Sequence, residues 1–357
     1  MRIDLPPRVH ATRWRASRAL LLALAALAAA TFATLLHANP LSDATTSPDP
    51  RVQALGRASD AVLGVQVVAV DDAYSNATLG RMRQGSGVVI GDDDLVLTIG
   101  YLILEADQVQ LVTDDARVLP ARVVAYDLAT GFGLLQALAP LRLAPVPLGR
   151  SDALQVDEPL MVVSGGEGGT ISVSRMVSRR PFAGYWEYLI DGALFTSPPR
   201  TDHSGAALFN ARGELMGIGS LFVSNALGSD GPDLPGNMFV PVDLLRPILD
   251  ELRRNGSSAA SRRAWLGVNC VEQGGRVRVV RVSGESPAEA AGLQPGDSIV
   301  TIDGMPVNTL VSLWKALWNG GQPERDVVLD IRRGDESQRM TLHSVDRMTT
   351  LRKAKGI

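Results

Sequence analysis

One cysteine, Cys270, stands in 357 residues, so the chain holds no internal disulfide and no thiolate metal cluster. Its four histidines (His10, His37, His203 and His343) are too scattered to form a metal site. Lysine is nearly absent, with Lys315, Lys353 and Lys355 the complete set. Aromatic residues make up only 5%, and a net charge of -3 gives no global electrostatic case for nucleic acid. No cofactor is expected.

Glycine and proline are plentiful, at 35 and 21 residues, as suits a chain of short strands and many turns. The length allows two or three folded units. Arg2, Arg8, Arg13, Arg15 and Arg18 precede an apolar run over 19–36. A run of this length behind a positive flank predicts a single membrane helix or a signal segment over 19–38. Leu36-His37-Ala38 is a poor small-x-small cleavage site, which favours an uncleaved anchor with 1–18 in the cytoplasm. Residues 39–51 then form a polar tether.

From 52 to 253 short apolar runs alternate with turn residues, for example 62–70, 86–90, 95–98, 109–112, 121–125, 160–164, 215–218 and 238–240. Runs of this length and spacing predict an all-β sandwich or barrel. Helical spacing follows over 241–252, and Asn255-Gly-Ser-Ser opens a linker over 254–262.

Several stretches then carry a resemblance by their order and spacing. They are Gly85-Ser-Gly-Val-Val-Ile, Leu95-Val-Leu-Thr, Val162-Val-Ser-Gly-Gly, Ser204-Gly-Ala-Ala-Leu-Phe-Asn and Met238-Phe-Val-Pro. Together they resemble the landmarks of HtrA-type, trypsin-like serine proteases. The resemblance implies a mainly β chain: two six-stranded barrels with the active site between them, a trimeric assembly and a place in the bacterial envelope.

Such enzymes need a nucleophile, a base, a carboxylate to orient the base and an oxyanion hole. The resemblance puts Ser204 at the nucleophile position, with the backbone N–H groups of Asp202 and Ser204 as oxyanion donors. Asp202 replaces a glycine, which puts the hole's geometry in question. Tyr101 falls at the histidine position, where an ordinary phenol is a poor base near neutrality. Gly131 falls at the aspartate position and offers no side chain. His203 directly precedes Ser204 and is expected to point away from it. Asp127 lies four residues before the aspartate position, out of register. The region has no lysine for a Ser–Lys pair.

After the linker, Arg263-Ala-Trp265-Leu266-Gly267-Val268 and Ala291-Gly-Leu-Gln-Pro-Gly-Asp-Ser-Ile resemble a PDZ domain over 263–345, followed by a tail over 346–357. In such domains a peptide C-terminus adds a strand to the sheet edge, and loop amides hold its carboxylate. The resemblance implies that Trp265, Leu266, Gly267 and Val268 form this loop and that Leu313 and Leu317 line the side-chain pockets. Trp314 and Trp318 read as core. The sequence therefore points to a membrane-anchored pseudoprotease that binds peptide C-termini. Two alternatives stay open: an active endopeptidase with an unusual base, and a structural oligomer whose groove is closed.

Overall fold

The computed structural model describes residues 49–166, 168–229 and 231–352. The apolar run expected to be a membrane helix lies outside these residues. Among the described residues no helix is long and apolar enough to cross a membrane.

The described chain opens on a helix, α1 (Pro50–Asp60), where a tether and the first strand pattern were expected. Asp49 caps it by accepting from the Arg51 N–H at 2.8 Å, and Pro50 supplies a preset first turn. Strands β1 (Val62–Ala69), β2 (Met82–Val89) and β3 (Leu95–Ile99) follow, then a single turn of helix, α2 (Gly100–Ile103). With β4 (Ala106–Val112), β5 (Val118–Tyr126) and β6 (Phe132–Ala137) they close a barrel in the order β1-β2-β3-β6-β5-β4. A second barrel closes as β10-β11-β12-β9-β8-β7. Its strands are β7 (Pro159–Val163), β8 (Ile171–Ala183), β9 (Leu189–Ser197), β10 (Ala207–Phe209), β11 (Leu215–Val223) and β12 (Gly236–Pro241). Closure leaves neither sheet with an open edge. All five residues of β3 are buried, as expected for a strand that packs on both faces, and one apolar core joins the two barrels.

The helix expected over 241–252 is divided. A 3-10 turn at Val242–Leu244 is followed by α3 (Leu249–Asn255), with Pro247 between them. Proline has no N–H to continue the ladder and disfavours helical backbone at the residue before it.

Beyond the linker lie β13 (Ala264–Trp265), β14 (Val268–Gln273), β15 (Arg276–Val282), β16 (Ser298–Ile302) and β17 (Met305–Pro306). Helix α4 (Leu310–Asn319), β18 (Asp326–Arg333), β19 (Glu336–His343) and β20 (Val345–Asp346) complete this PDZ fold. Its main sheet runs β14-β15-β16-β18-β19. Thr309 and Ser312 form a reciprocal cap on α4, and Leu310, Leu313, Trp314 and Leu317 make its buried stripe.

The linker is pinned rather than free. Asp127 is completely buried. Its carboxylate accepts from Ser258 N–H at 3.1 Å, and from the hydroxyls of Ser258 and Ser261 at 2.5 Å each. Thr130 N–H and Oγ1 donate to the other oxygen at 2.9 and 2.6 Å. Burial pushes this carboxyl up, but the donors outweigh it and hold the pKa below the usual value. Asp127 is therefore the joint between the first barrel and the segment that leads to the PDZ fold.

Replacing Asp127 by Ala should cost at least about 3 kcal/mol, because hydrogen bonds to a charged group contribute about 1.5–3 kcal/mol each and buried donors would be stranded. With its folded pKa depressed, the contribution of Asp127 is full above the unfolded value of 3.8 and is lost as pH falls through the folded one. Denaturant midpoints between pH 2 and 6 should therefore converge for wild type and Asp127→Ala at the acid end.

Candidate functional site

Ser204 lies in the turn between β9 and β10, facing the first barrel. Its carbonyl accepts from Ser86 N–H at 2.9 Å, which ties the turn to β2. Gly205 follows with φ of +74°, and a Cβ there would lie 2.0 Å from the Ser86 carbonyl oxygen. Only glycine permits this approach of the two barrels.

Tyr101 is the second residue of α2, just after β3, and its hydroxyl reaches across the barrel junction. It lies 2.7 Å from Ser204 Oγ and 2.8 Å from the Ser220 carbonyl oxygen. A carbonyl can only accept, so the single phenol proton belongs to Ser220 O, and Ser204 donates its own hydroxyl proton to the phenol oxygen. Burial pushes the Tyr101 pKa up to about 12, against a smaller lowering by Ser204. At pH 7 about one phenol in 10^5 is ionised. The residue facing Ser204 is thus a neutral hydrogen-bonding group with no useful basicity.

Gly131 closes the turn before β6 with φ of +79°. The space beside it belongs to Tyr188, whose hydroxyl donates to the Thr130 carbonyl at 3.0 Å. A Cβ on residue 131 would lie 2.6 Å from that hydroxyl. Asp127 is turned into the linker joint, away from Tyr101 and Ser204. His203 places Nδ1 3.0 Å from the Arg200 carbonyl and likewise makes no bond to Ser204.

The cleft beside Ser204 has a volume of about 290 Å³ and is lined by Gln84, Ser86, Ser164, Gly165, Asp202 and Ser204, among others. The Asp202 carboxylate is bound by Ser164 Oγ at 2.5 Å, Thr170 Oγ1 at 3.1 Å and Arg200 Nε at 3.0 Å. Burial raises its pKa, but these partners outweigh burial and hold it low. Asp202 is not among the residues with positive φ, so an aspartate sits there without backbone strain. Among the described residues neither its amide nor that of Ser204 donates to a protein acceptor.

The second candidate site is the loop entering β14. The N–H groups of Leu266, Gly267 and Val268 converge on one oxygen, Glu187 Oε1, at 3.0, 3.0 and 3.4 Å. Glu187 belongs to the second barrel, at the tip of the β8–β9 hairpin. Trp265 does not join this contact. It lies in β13 with the Arg347 guanidinium 4.5 Å over its ring. Leu313 and Leu317 are buried in the same apolar cluster as Leu266, Val268 and the barrel residue Leu189. Trp314, read as core, is buried but also donates its indole N–H to the Gly184 carbonyl of the hairpin at 3.0 Å.

Sequence reading missed Glu187 and Tyr188. The available signal was local: Phe182, Tyr185, Trp186 and Tyr188 fall within seven residues of a chain that is 5% aromatic. Trp186 and Tyr188 stack with centroids 5.7 Å apart.

A trypsin-like peptidase domain model matches residues 85–218, and a PDZ domain model matches 264–343. The chain is 28% identical over 271 residues to a probable periplasmic serine endoprotease, DegP-like, of Hahella chejuensis. That match covers 71% of this chain and 55% of the relative, so the chain spans about half the length of its DegP-like relatives. It is also 28% identical over 297 residues to the serine endoprotease DegS of Escherichia coli K12, covering 76% of this chain and 81% of DegS. Among solved structures, an HtrA-type protease AlgW with tripeptide aligns with TM-score 0.52 at 21% identity, over 83% of this chain and 97% of that one. The serine endoprotease from Yersinia pestis aligns with TM-score 0.51 at 21% identity, over 87% and 99%. At such identity these two establish likeness of fold.

Introducing a carboxylate by Gly131→Asp alone should destabilise the protein by about 2–3 kcal/mol, from overpacking against Tyr188 and an unfavourable φ. Adding Tyr188→Ala should relieve the overpacking part only. Thermal melts of the two variants beside Tyr188→Ala and wild type make the comparison.

Proposed function

We propose that this chain, which carries a trypsin-like peptidase domain followed by a PDZ domain and is similar to DegP-like and DegS endoproteases, is a non-catalytic HtrA-type protein that binds peptide C-termini. The observation that carries the first half is the Tyr101 hydroxyl 2.7 Å from Ser204 Oγ. A serine becomes a nucleophile when a neighbour takes its proton. Here the neighbour is a neutral phenol with a pKa of about 12, already donating its one proton to a backbone carbonyl. No carboxylate lies behind it, since Gly131 has none and Asp127 serves the linker. Triad enzymes stripped of their base lose several orders of magnitude in rate.

The second half is supported by the three amides that converge on a carboxylate oxygen at Leu266, Gly267 and Val268. Such a cluster takes the terminal carboxylate of a peptide added to β14. A second reading, a structural subunit with a closed groove, draws on the same contact, because Glu187 is what fills the loop. The names of the DegP-like relatives place them in the periplasm, and we assign the folded domains of this chain there, with the apolar segment before residue 39 as an inner-membrane anchor. A homotrimer is the assembly the family resemblance implies, and light scattering reads it.

Full-length protein in mild detergent should not cleave unfolded casein above background, and Ser204→Ala should make no difference. A fluorophosphonate probe should leave Ser204 unlabelled at pH 7. Casein cleavage abolished by Ser204→Ala would sink the pseudoprotease reading.

A further inference from the structure

The hairpin tip at 184–188 occupies the PDZ groove in the manner of a bound peptide. Glu187 Oε1 takes all three loop amides. Two residues earlier, the Tyr185 carbonyl accepts from Cys270 N–H at 2.6 Å, and Cys270 lies two residues beyond Val268. Residues 185–187 form a bend rather than a strand, but one backbone hydrogen bond to the edge of β14 and a carboxylate on the loop amides reproduce, at matching spacing, the two ends of a bound peptide's contact, with the glutamate side chain standing where a C-terminal carboxylate would sit. The tip is fastened from the helix side as well, by the Trp314 indole on Gly184 O and by Leu189 in the PDZ core.

We propose that this segment is an internal ligand, so that peptide C-termini bind the groove only by displacing Glu187. The proposal rests on the reading of the PDZ fold as a binder of C-termini. Displacement is feasible because the internal ligand is imperfect. The second carboxylate oxygen of Glu187 is buried with no hydrogen-bond partner, so the docked carboxylate forfeits solvation on that side. Burial accordingly pushes the Glu187 pKa up to about 7, against the lowering by the three amides and Arg347. A peptide terminus from solution brings its own carboxylate and further strand pairing along β14. Tethering gives the internal ligand an effective concentration of order millimolar, which lowers the apparent affinity of any external peptide. Tyr188 is the next residue after Glu187, so leaving the groove also pulls on the ring that fills the space beside Gly131.

The test measures binding of a fluorescein-labelled heptapeptide, Pro-Phe-Ala-Gly-Tyr-Trp-Val, with a free carboxyl end or a C-terminal amide, to the full-length protein. Its first six residues copy 181–186. Hydrogen exchange at the amides of 266–270 is followed in parallel. For Glu187→Ala, with its fold confirmed by circular dichroism, the free-acid peptide should bind at least about tenfold tighter than for wild type. The amide form should bind neither protein, and exchange at 266–268 should accelerate in the variant without peptide. Equal affinity for wild type and Glu187→Ala would overturn the internal ligand while leaving C-terminus binding intact. If neither protein bound, C-terminus binding itself would fail. In that case, faster exchange confined to the variant would mark the tip as a permanent plug, again overturning displacement.

Discussion

The Tyr188 hydroxyl donates to the Thr130 carbonyl directly above the backbone position that lacks a side chain, and both halves of the molecule depend on this packing. On one side it fills the space beside Gly131 of the first barrel. On the other it fixes the end of a hairpin whose tip reaches the PDZ loop through Glu187. Burying an aromatic ring contributes on the order of 2–3 kcal/mol, so this packing is a substantial part of what sets the two barrels against each other. Asp127 supplies the second tie, drawing Ser258 and Ser261 of the linker onto the first barrel. The PDZ fold is therefore held by contacts of differing chemistry, among them the hairpin tip, the Asp127 joint and the Tyr74 hydroxyl donating to Glu285 at 2.9 Å.

Ser204 sits in an ordered hydrogen-bonded site, and the proposal that it is not a nucleophile rests on where the protons lie. Every hydroxyl in the Tyr101–Ser204–Ser220 chain has a partner, and the cleft beside it is open. What is missing is a group whose basicity rises when Ser204 must ionise. Asp202 shows the same pattern, since its carboxylate is fully engaged by Ser164, Thr170 and Arg200. The side chains of the site are engaged with one another, while the amides of Asp202 and Ser204 face no protein acceptor.

Much of this was legible in the sequence. The short apolar runs announced the strands, the order of the landmark stretches announced the two barrels, and Tyr101, read as the partner of Ser204, lies 2.7 Å from it. The amide loop at 266–268 was placed from its motif alone. The split of the helix at Pro247 could have been read from the proline itself. The contacts between domains could not, because Glu187 meets Leu266 across 79 residues of sequence and no periodicity encodes that meeting. Asp127 was judged out of register for catalysis, but its role as a linker anchor depends on serines more than a hundred residues away. Trp314 read as core because its stripe on α4 is apolar, while its indole nitrogen carries a second role that the stripe does not reveal.

The glycine at 131 has a consequence that reaches beyond its own turn. A Cβ there would lie 2.6 Å from the Tyr188 hydroxyl, and Tyr188 follows Glu187, whose carboxylate holds the amides of the PDZ loop. A side chain added in the first barrel would press on the second, and the second carries the hairpin whose tip grips the third fold. The smallest residue in the chain thus acts as the clearance in a linkage.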